Sequence, residues 1–287
     1  MGVACVRREV APAGWLGVWA VSTVLVVGGC GGAGPAALRG DPAAVVQAAA
    51  GRTIAAGTAR VDVSVGSDLA GTGVVDMAAG SGRFTFQRTG ASAHLGDSFD
   101  VVVDGGREWV KAKGAAGGVP GTSAARPWLG GAPASLGAAG RARVAPLDTV
   151  LVRPALGTDL AFLRGATKVR PYGGEEVRGV GAYRYSLEVD LAAAIKASPA
   201  AQRPDLEAAR RSIGAVRWPA DVWLDDRGRV RSLQLAEDPQ LHTTTTKANL
   251  LITEDGNVLG LTNLVFFDFG TAAVITPPAP ELTAEAA

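Results

Sequence analysis

Two imidazoles, one hydroxyl beside one of them and a few paired carboxylates are the groups in this sequence that could carry chemistry. Their spacing argues against most of it. His94 lies in Ala91-Ser92-Ala93-His94 and His242 precedes the four threonines Thr243 to Thr246. Neither has a second ligand at metal-binding spacing, so no metal set is expected. Ser92, in Gly90-Ala91-Ser92-Ala93-His94, lacks the final glycine of a nucleophile elbow and the strand-turn-helix setting that would present its hydroxyl. Gly71-Thr72-Gly73 and Gly179-Val180-Gly181 lack the spacing and the following helix that a phosphate loop needs, and read as turns or strand irregularities. Glu175 and Glu176 follow Gly173-Gly174 and read as a solvated turn. Asp225 and Asp226 are adjacent, so they diverge, and a turn explains both. The residues that an enzyme or a cofactor would require are not assembled, and a non-catalytic protein without cofactor is expected.

The two cysteines point to different chemistry. Cys5 and Cys30 both fall within the first thirty residues, which leaves the rest without a disulfide or a thiolate metal site. Arg7 and Arg8 precede the apolar run Ala13 to Val21, and Leu25-Val26-Val27-Gly28-Gly29-Cys30 closes the segment. A charged start, an apolar middle and a small-residue end are the parts of an export signal. The end resembles a bacterial lipobox, with an aliphatic residue three before the cysteine and small residues between. Cys30 is therefore the expected lipid-attachment residue, residues 1–29 the expected signal peptide, and residues 30–41, beginning Gly31-Gly32-Ala33-Gly34 after the cysteine, a flexible tether. An uncleaved membrane span is the alternative, because the apolar run approaches the roughly 20 residues that cross a bilayer. A span needs neither the cysteine nor the glycine tether. Multiple acyl chains hold a protein firmly where one holds it marginally. The expected location is the extracytoplasmic face of the cell membrane.

Composition supports a folded domain rather than a polyanion binder. Of 287 residues 47% are hydrophobic and 19% charged, and the formal net charge is +1. That is far from a disordered composition. Without a clustered basic face, no nucleic-acid partner is expected.

The elements that would position any site alternate from helical to period-two patterns. Residues 42–58 read as a helix with Asp41 as cap, Pro42 in the first turn and Gly57 at the stop. Val61, Val63 and Val65 then alternate with Asp62, Ser64 and Gly66, which puts the valines on one face of a strand. Residues 71–79 and 83–88 follow, with Phe84 and Phe86 sharing a face, and residues 100–104 and 107–113 pair around Asp104-Gly105-Gly106. Residues 114–146 are rich in Gly, Pro, Ala and Ser, but Trp128 and Leu129 favour an ordered excursion over a linker, and 134–141 could form a short helix. Residues 150–162 read as helical or mixed. Tyr183, Tyr185, Leu187 and Val189 oppose Arg184, Ser186, Glu188 and Asp190 on a half-buried strand. Short helices at 191–196 and 204–213 lead into two hairpins. One joins 220–224 to 229–235 around Asp225-Asp226-Arg227-Gly228. The other joins 247–253 to 257–267 around Glu254-Asp255-Gly256.

In this order the lipobox, the helix, the meandering strands, "EVRGVGAYRYSLEVDL", "WPADVWLDDRGRVRSLQL" and "FFDFGTAAVITPP" resemble the actinobacterial LppX/LprG lipoprotein family. The resemblance spans about residues 43–278, and its motifs are structural. It implies an α+β fold, a large curved antiparallel β-sheet packed against a few short helices, a half-barrel related in shape to the lipoprotein carrier LolA. It also implies that the concave face holds lipid or lipoglycan acyl chains. The expected organisation is a single half-barrel domain over 42–278 and a disordered tail over 279–287.

Two functions follow as expectations. One is a membrane-anchored lipoprotein that carries a lipid or other apolar ligand, with Phe84, Phe86, Tyr183 and Tyr185 as the expected cavity wall and the glycine-rich 114–146 as its mobile lid. The other is a structural or signalling lipoprotein of the cell envelope that acts through a protein partner. For Trp109, Trp218 and Trp223 a place in a packed core is expected.

Overall fold

A computed structural model of the chain describes residues 35–66, 69–88, 98–113, 119, 121–132, 155–213, 217–236, 243–247, 250–253, 258–259 and 261–286. Cys5, Cys30, Ser92, His94, His242, the expected short helix at 134–141 and most of the expected lid lie outside the described residues.

The first helix, α1 (Pro42–Ala55), starts where the sequence predicts. Asp41 Oδ2 accepts from Ala44 N at 3.0 Å, and Gly57 follows the helix with φ +77°. Both groups satisfy backbone that a helix end would otherwise leave unpaired. Six strands follow: β1 (Thr58–Val65), β2 (Leu69–Asp76), β3 (Ser81–Arg88), β4 (Ser98–Asp104), β5 (Arg107–Lys113) and β6 (Trp128–Gly131). The two-residue turn between β4 and β5 has positive φ at Gly105 and Gly106, the geometry that suits the right-handed twist of a hairpin. Next come α2 (Ala155–Phe162), β7 (Ala166–Val177), β8 (Val180–Asp190), α3 (Leu191–Ala197), α4 (Arg203–Ile213), β9 (Arg217–Leu224) and β10 (Val230–Ala236). The last elements are β11 (Thr243–Lys247), β12 (Leu250–Thr253), β13 (Val258–Leu259), β14 (Leu261–Phe267) and β15 (Thr283–Glu285).

Twelve strands make one open, curved sheet, the expected half-barrel, in the order β15-β6-β5-β4-β3-β2-β1-β14-β10-β9-β8-β7. All neighbours are antiparallel except β15 beside β6. Two meanders, β1 to β6 and β7 to β10, are thus joined through β14, which pairs with β1 on one side and β10 on the other. Strands β11, β12 and β13 form a separate small sheet. On the inner face of the large sheet, α1 packs against β7, β10 and α2, and α3 packs against β8. Gly34–Ala287 forms one compact unit. No helix among the described residues is long and apolar enough to cross a membrane.

Several expectations give way. The hairpin expected of 247–253 and 257–267 forms only in its inner part, where β12 pairs with β13, while β14 leaves for the large sheet and pairs there with β1 and β10. Glu175 and Glu176 lie not in a turn but in β7, opposite Ala182 and Gly181, and the turn falls beyond them at Arg178 and Gly179. The tail is ordered in part, because β15 adds to the edge at β6 and buries Thr283. The tether is likewise ordered near its end: Ala36–Leu38 forms a short 3-10 helix, Arg52 Nη1 donates to Ala37 O at 2.9 Å, and Leu38 packs on the core.

At the other end of the sheet β7 is an open edge, and its sequence blunts it. Register shifts interrupt its pairing twice, Pro171 offers no N–H, and Lys168, Arg170, Glu175 and Glu176 place charge along it. These are the devices by which natural sheets avoid adding a foreign strand.

Candidate functional site

Register decides which residues share the inner face. Phe84 stands opposite Gly73 and Val101, and Phe86 opposite Gly71 and Phe99. Val101 in turn faces Val110, which faces Leu129. Going the other way, Gly73 and Gly71 face Val61 and Val63, which face Phe266 and Leu264; Leu264 faces Leu233, Leu233 faces Val222, and Val222 faces Tyr185. One apolar surface therefore runs from β6 to β8.

All four of the expected wall residues point to this face, in two separate pairs. Phe84 and Phe86 are buried on β3, stacked with ring centroids 5.7 Å apart. Tyr183 and Tyr185 lie on β8, with β2, β1, β14, β10 and β9 between the pairs. Tyr185 is buried, and desolvation, helped by the charge of Tyr183, raises its phenol pKa above the ordinary value. Tyr183 is 37% exposed at the rim.

The phenylalanines lie flat on the sheet because β2 has glycine beneath each. A Cβ at residue 71 would sit 2.3 Å from Phe86 Cδ1, and one at residue 73 would sit 2.5 Å from Phe84 Cδ1. Real Cβ atoms do not approach so closely. Gly71 and Gly73 are therefore regular strand positions that accommodate a ring, not the turns or irregularities read from the sequence. Covering strand glycine with a neighbouring aromatic compensates the packing that the glycine lacks.

Polar groups on the inner face are few. Glu108 faces Val103 and Gly131 across the strands and shares its strand face with Val110. It is 1% exposed, its Oε2 has no hydrogen-bond partner, and burial raises its pKa from 4.5 to about 8. Thr262, opposite Val65 and Leu235, is also buried with an unpartnered Oγ1. The sequence reading missed both. The available signal for Glu108 was its period-two spacing with Val110 and Ala112, masked by the larger Trp109 of opposite parity.

Trp218 is inner-face core, its indole N–H donating to Ala236 O at 2.6 Å and its ring edge-on to Phe162. The other two tryptophans are buried on the outer face. Trp109 packs with Val102, Trp128 and Ile275. Trp223 donates to Glu175 Oε2 at 2.8 Å. Beside it Arg184 bonds Asp221 at 2.8 Å and lies 3.6 Å from Glu175, and this partnership holds its guanidinium pKa above the ordinary value against desolvation. Asp225 is buried in the β9–β10 turn, where Oδ1 accepts from Arg227 N and Arg229 N and Oδ2 binds the Arg229 guanidinium. These charges are structural. No group of His, Cys, Asp and Glu able to hold a metal occurs among the described residues.

No protein-family description and no curated protein matches the sequence. Solved structures do resemble the fold. LprF from Mycobacterium bovis is 14% identical, covers 83% of this chain and 97% of its own, and has a TM-score of 0.43. The Mycobacterium tuberculosis lipoprotein LppX is 14% identical over 83% of this chain and all of its own, with a TM-score of 0.34. A chain of the Pseudomonas aeruginosa MucA/MucB complex is 15% identical over 82% of this chain and 59% of its own, with a TM-score of 0.37.

Proposed function

We propose that this chain is an exported lipoprotein, attached through Cys30, that holds a lipid or another apolar ligand against the inner face of its half-barrel and performs no catalysis. The observation that carries the reading is the pair of phenylalanine rings laid flat over Gly71 and Gly73. A strand with ordinary side chains at these two positions would lift the rings off the sheet. Glycine lowers the floor of the sheet by about the thickness of a side chain while keeping it apolar. Such a surface holds acyl chains by burial alone: at ~25 cal/mol per Å², a few hundred Å² of buried chain amounts to several kcal/mol before the cost of ordering.

The partner reading has less in its favour. Strand addition at β7, the long open edge, meets two register shifts, a proline and a row of charges. Native mass spectrometry of the full-length chain released from micelles, with extraction and identification of what travels with it, tests the proposal. A stoichiometric lipid is expected. A homogeneous, empty protein recovered from several hosts would overturn it.

A further inference from the structure

Among the described residues of the inner face, Glu108 buries a carboxyl whose Oε2 has no hydrogen-bond partner. Its strand neighbours across the sheet are Val103 and Gly131, and Val110 follows it on the same face. Its own flanking residues turn away: Arg107 pairs with Glu285, and Trp109 packs outside with Trp128. Gly131, its neighbour across the strands, has no side chain, whereas at the other end of the row the Phe84 ring lies over Gly82, where a Cβ would sit 2.7 Å from Phe84 Cε2. An unpaired polar group in such a place costs about 1–3 kcal/mol of desolvation. A carboxyl that only filled space would be replaced by leucine or methionine without loss.

We propose that the Glu108 carboxyl is the polar contact of this face, donating its O–H to a carbonyl or hydroxyl oxygen at the head of an otherwise apolar ligand. The inference rests on the apolar-ligand reading and narrows it: the ligand is an uncharged amphiphile such as an acyl glycerol, rather than a plain hydrocarbon. Burial keeps the carboxyl protonated at neutral pH, with one donor and no charge to neutralise. The bound head group then lies on the Gly131 side of Glu108, and the acyl chain extends toward Phe84 and Phe86, one row and two rows further along β3.

The test is a competition. The full-length chain and its Glu108→Leu variant are incubated with equal amounts of a diacylglycerol and a hydrocarbon of matched chain length, and the two bound species are counted by native mass spectrometry. The wild type is expected to favour the diacylglycerol. Loss of one neutral hydrogen bond predicts that E108L lowers the bound ratio of diacylglycerol to hydrocarbon roughly three- to tenfold. An unchanged ratio in folded E108L overturns the role of Glu108 and leaves the apolar cavity standing. Failure of the wild type to bind either probe overturns the cavity and this inference with it. Should E108L not fold, the infrared spectrum of the wild-type complex decides, using a diacylglycerol with isotope-labelled carbonyls. A carbonyl band shifted to lower frequency than in hexane is expected, and an unshifted band overturns the contact.

Discussion

Phe86 lies so close over Gly71 that a methyl group on residue 71 would overlap its ring, at 2.3 Å from Cδ1 and 2.6 Å from Cε1. The alternative is to raise the ring. Gly71→Ala is therefore expected to destabilise by about 1–3 kcal/mol, although alanine normally suits a strand better than glycine. Urea unfolding measures it. Combining it with Phe86→Leu, which removes the obstruction, should cost less than the sum of the two single changes; strict additivity would show that the ring and the glycine do not interact.

Glu108 makes stability depend on pH in an unusual direction. Between 4.5 and about 8 the folded chain keeps its proton and the unfolded chain does not, so the unfolded state binds fewer protons and stability falls as pH rises. The contribution is complete below 4.5 and is lost by about 8, and its size is on the order of a few kcal/mol. Glu108→Gln removes it. Thermal unfolding of both proteins across this range should show a difference that shrinks or reverses with pH, and parallel curves would rule out a buried titrating carboxyl.

The β9–β10 turn separates two adjacent aspartates. Asp225 is buried and satisfies two backbone amides and the Arg229 guanidinium, at 2.7–3.0 Å, whereas Asp226 is exposed. Asp225→Ala is expected to cost about 3 kcal/mol, since it strips the partner from a part-buried cation. Asp226→Ala is expected to fall within about 0.5 kcal/mol of the wild type. Denaturant midpoints for the two variants give the comparison directly.

Removal of residues 279–287 tests the closing strand. Thr283–Glu285 covers the edge at β6, and Ile275, upstream, packs on Val102, Trp109 and Trp128. The truncated chain should show red-shifted tryptophan emission and lower stability. Glu285→Ala alone should do neither, because the Arg107–Glu285 pair is exposed and such pairs contribute little.

What the sequence makes legible is whatever short-range pattern specifies. Val61, Val63 and Val65 alternate because one face of β1 is core, and Asp104-Gly105-Gly106 marks a tight turn because two residues there need positive φ. The Asp41 cap and the Asp225 turn are legible for the same local reason. β7 escaped because an edge strand buries little, so charge and glycine replaced alternation and imitated a loop. β15 escaped because three residues carry no period at all.

The candidate site was legible by face and not by neighbourhood. Parity puts Phe84 with Phe86 and Tyr183 with Tyr185 on one strand face each, but nothing in their spacing reveals that five strands separate the pairs. Gly71 and Gly73 look like a flexible spot until the partner strand brings the rings above them. Cross-strand partners decide such meanings, and they are set by register over long separations.

The place of β14 also sets the tempo of folding. Each meander can zip from one hairpin to the next through neighbours close in sequence, yet β1 near residue 61 gains its second partner only from residue 266. Closing so long a loop is slow, and contacts of this separation dominate the rates of β-rich proteins. A chain delivered from its N-terminus would wait, with β1 a bare and aggregation-prone edge, until nearly all of its length had emerged. Residues 261–267 then act as the last plank laid between two finished spans, and a mutation there should slow productive folding more than the same mutation within either meander.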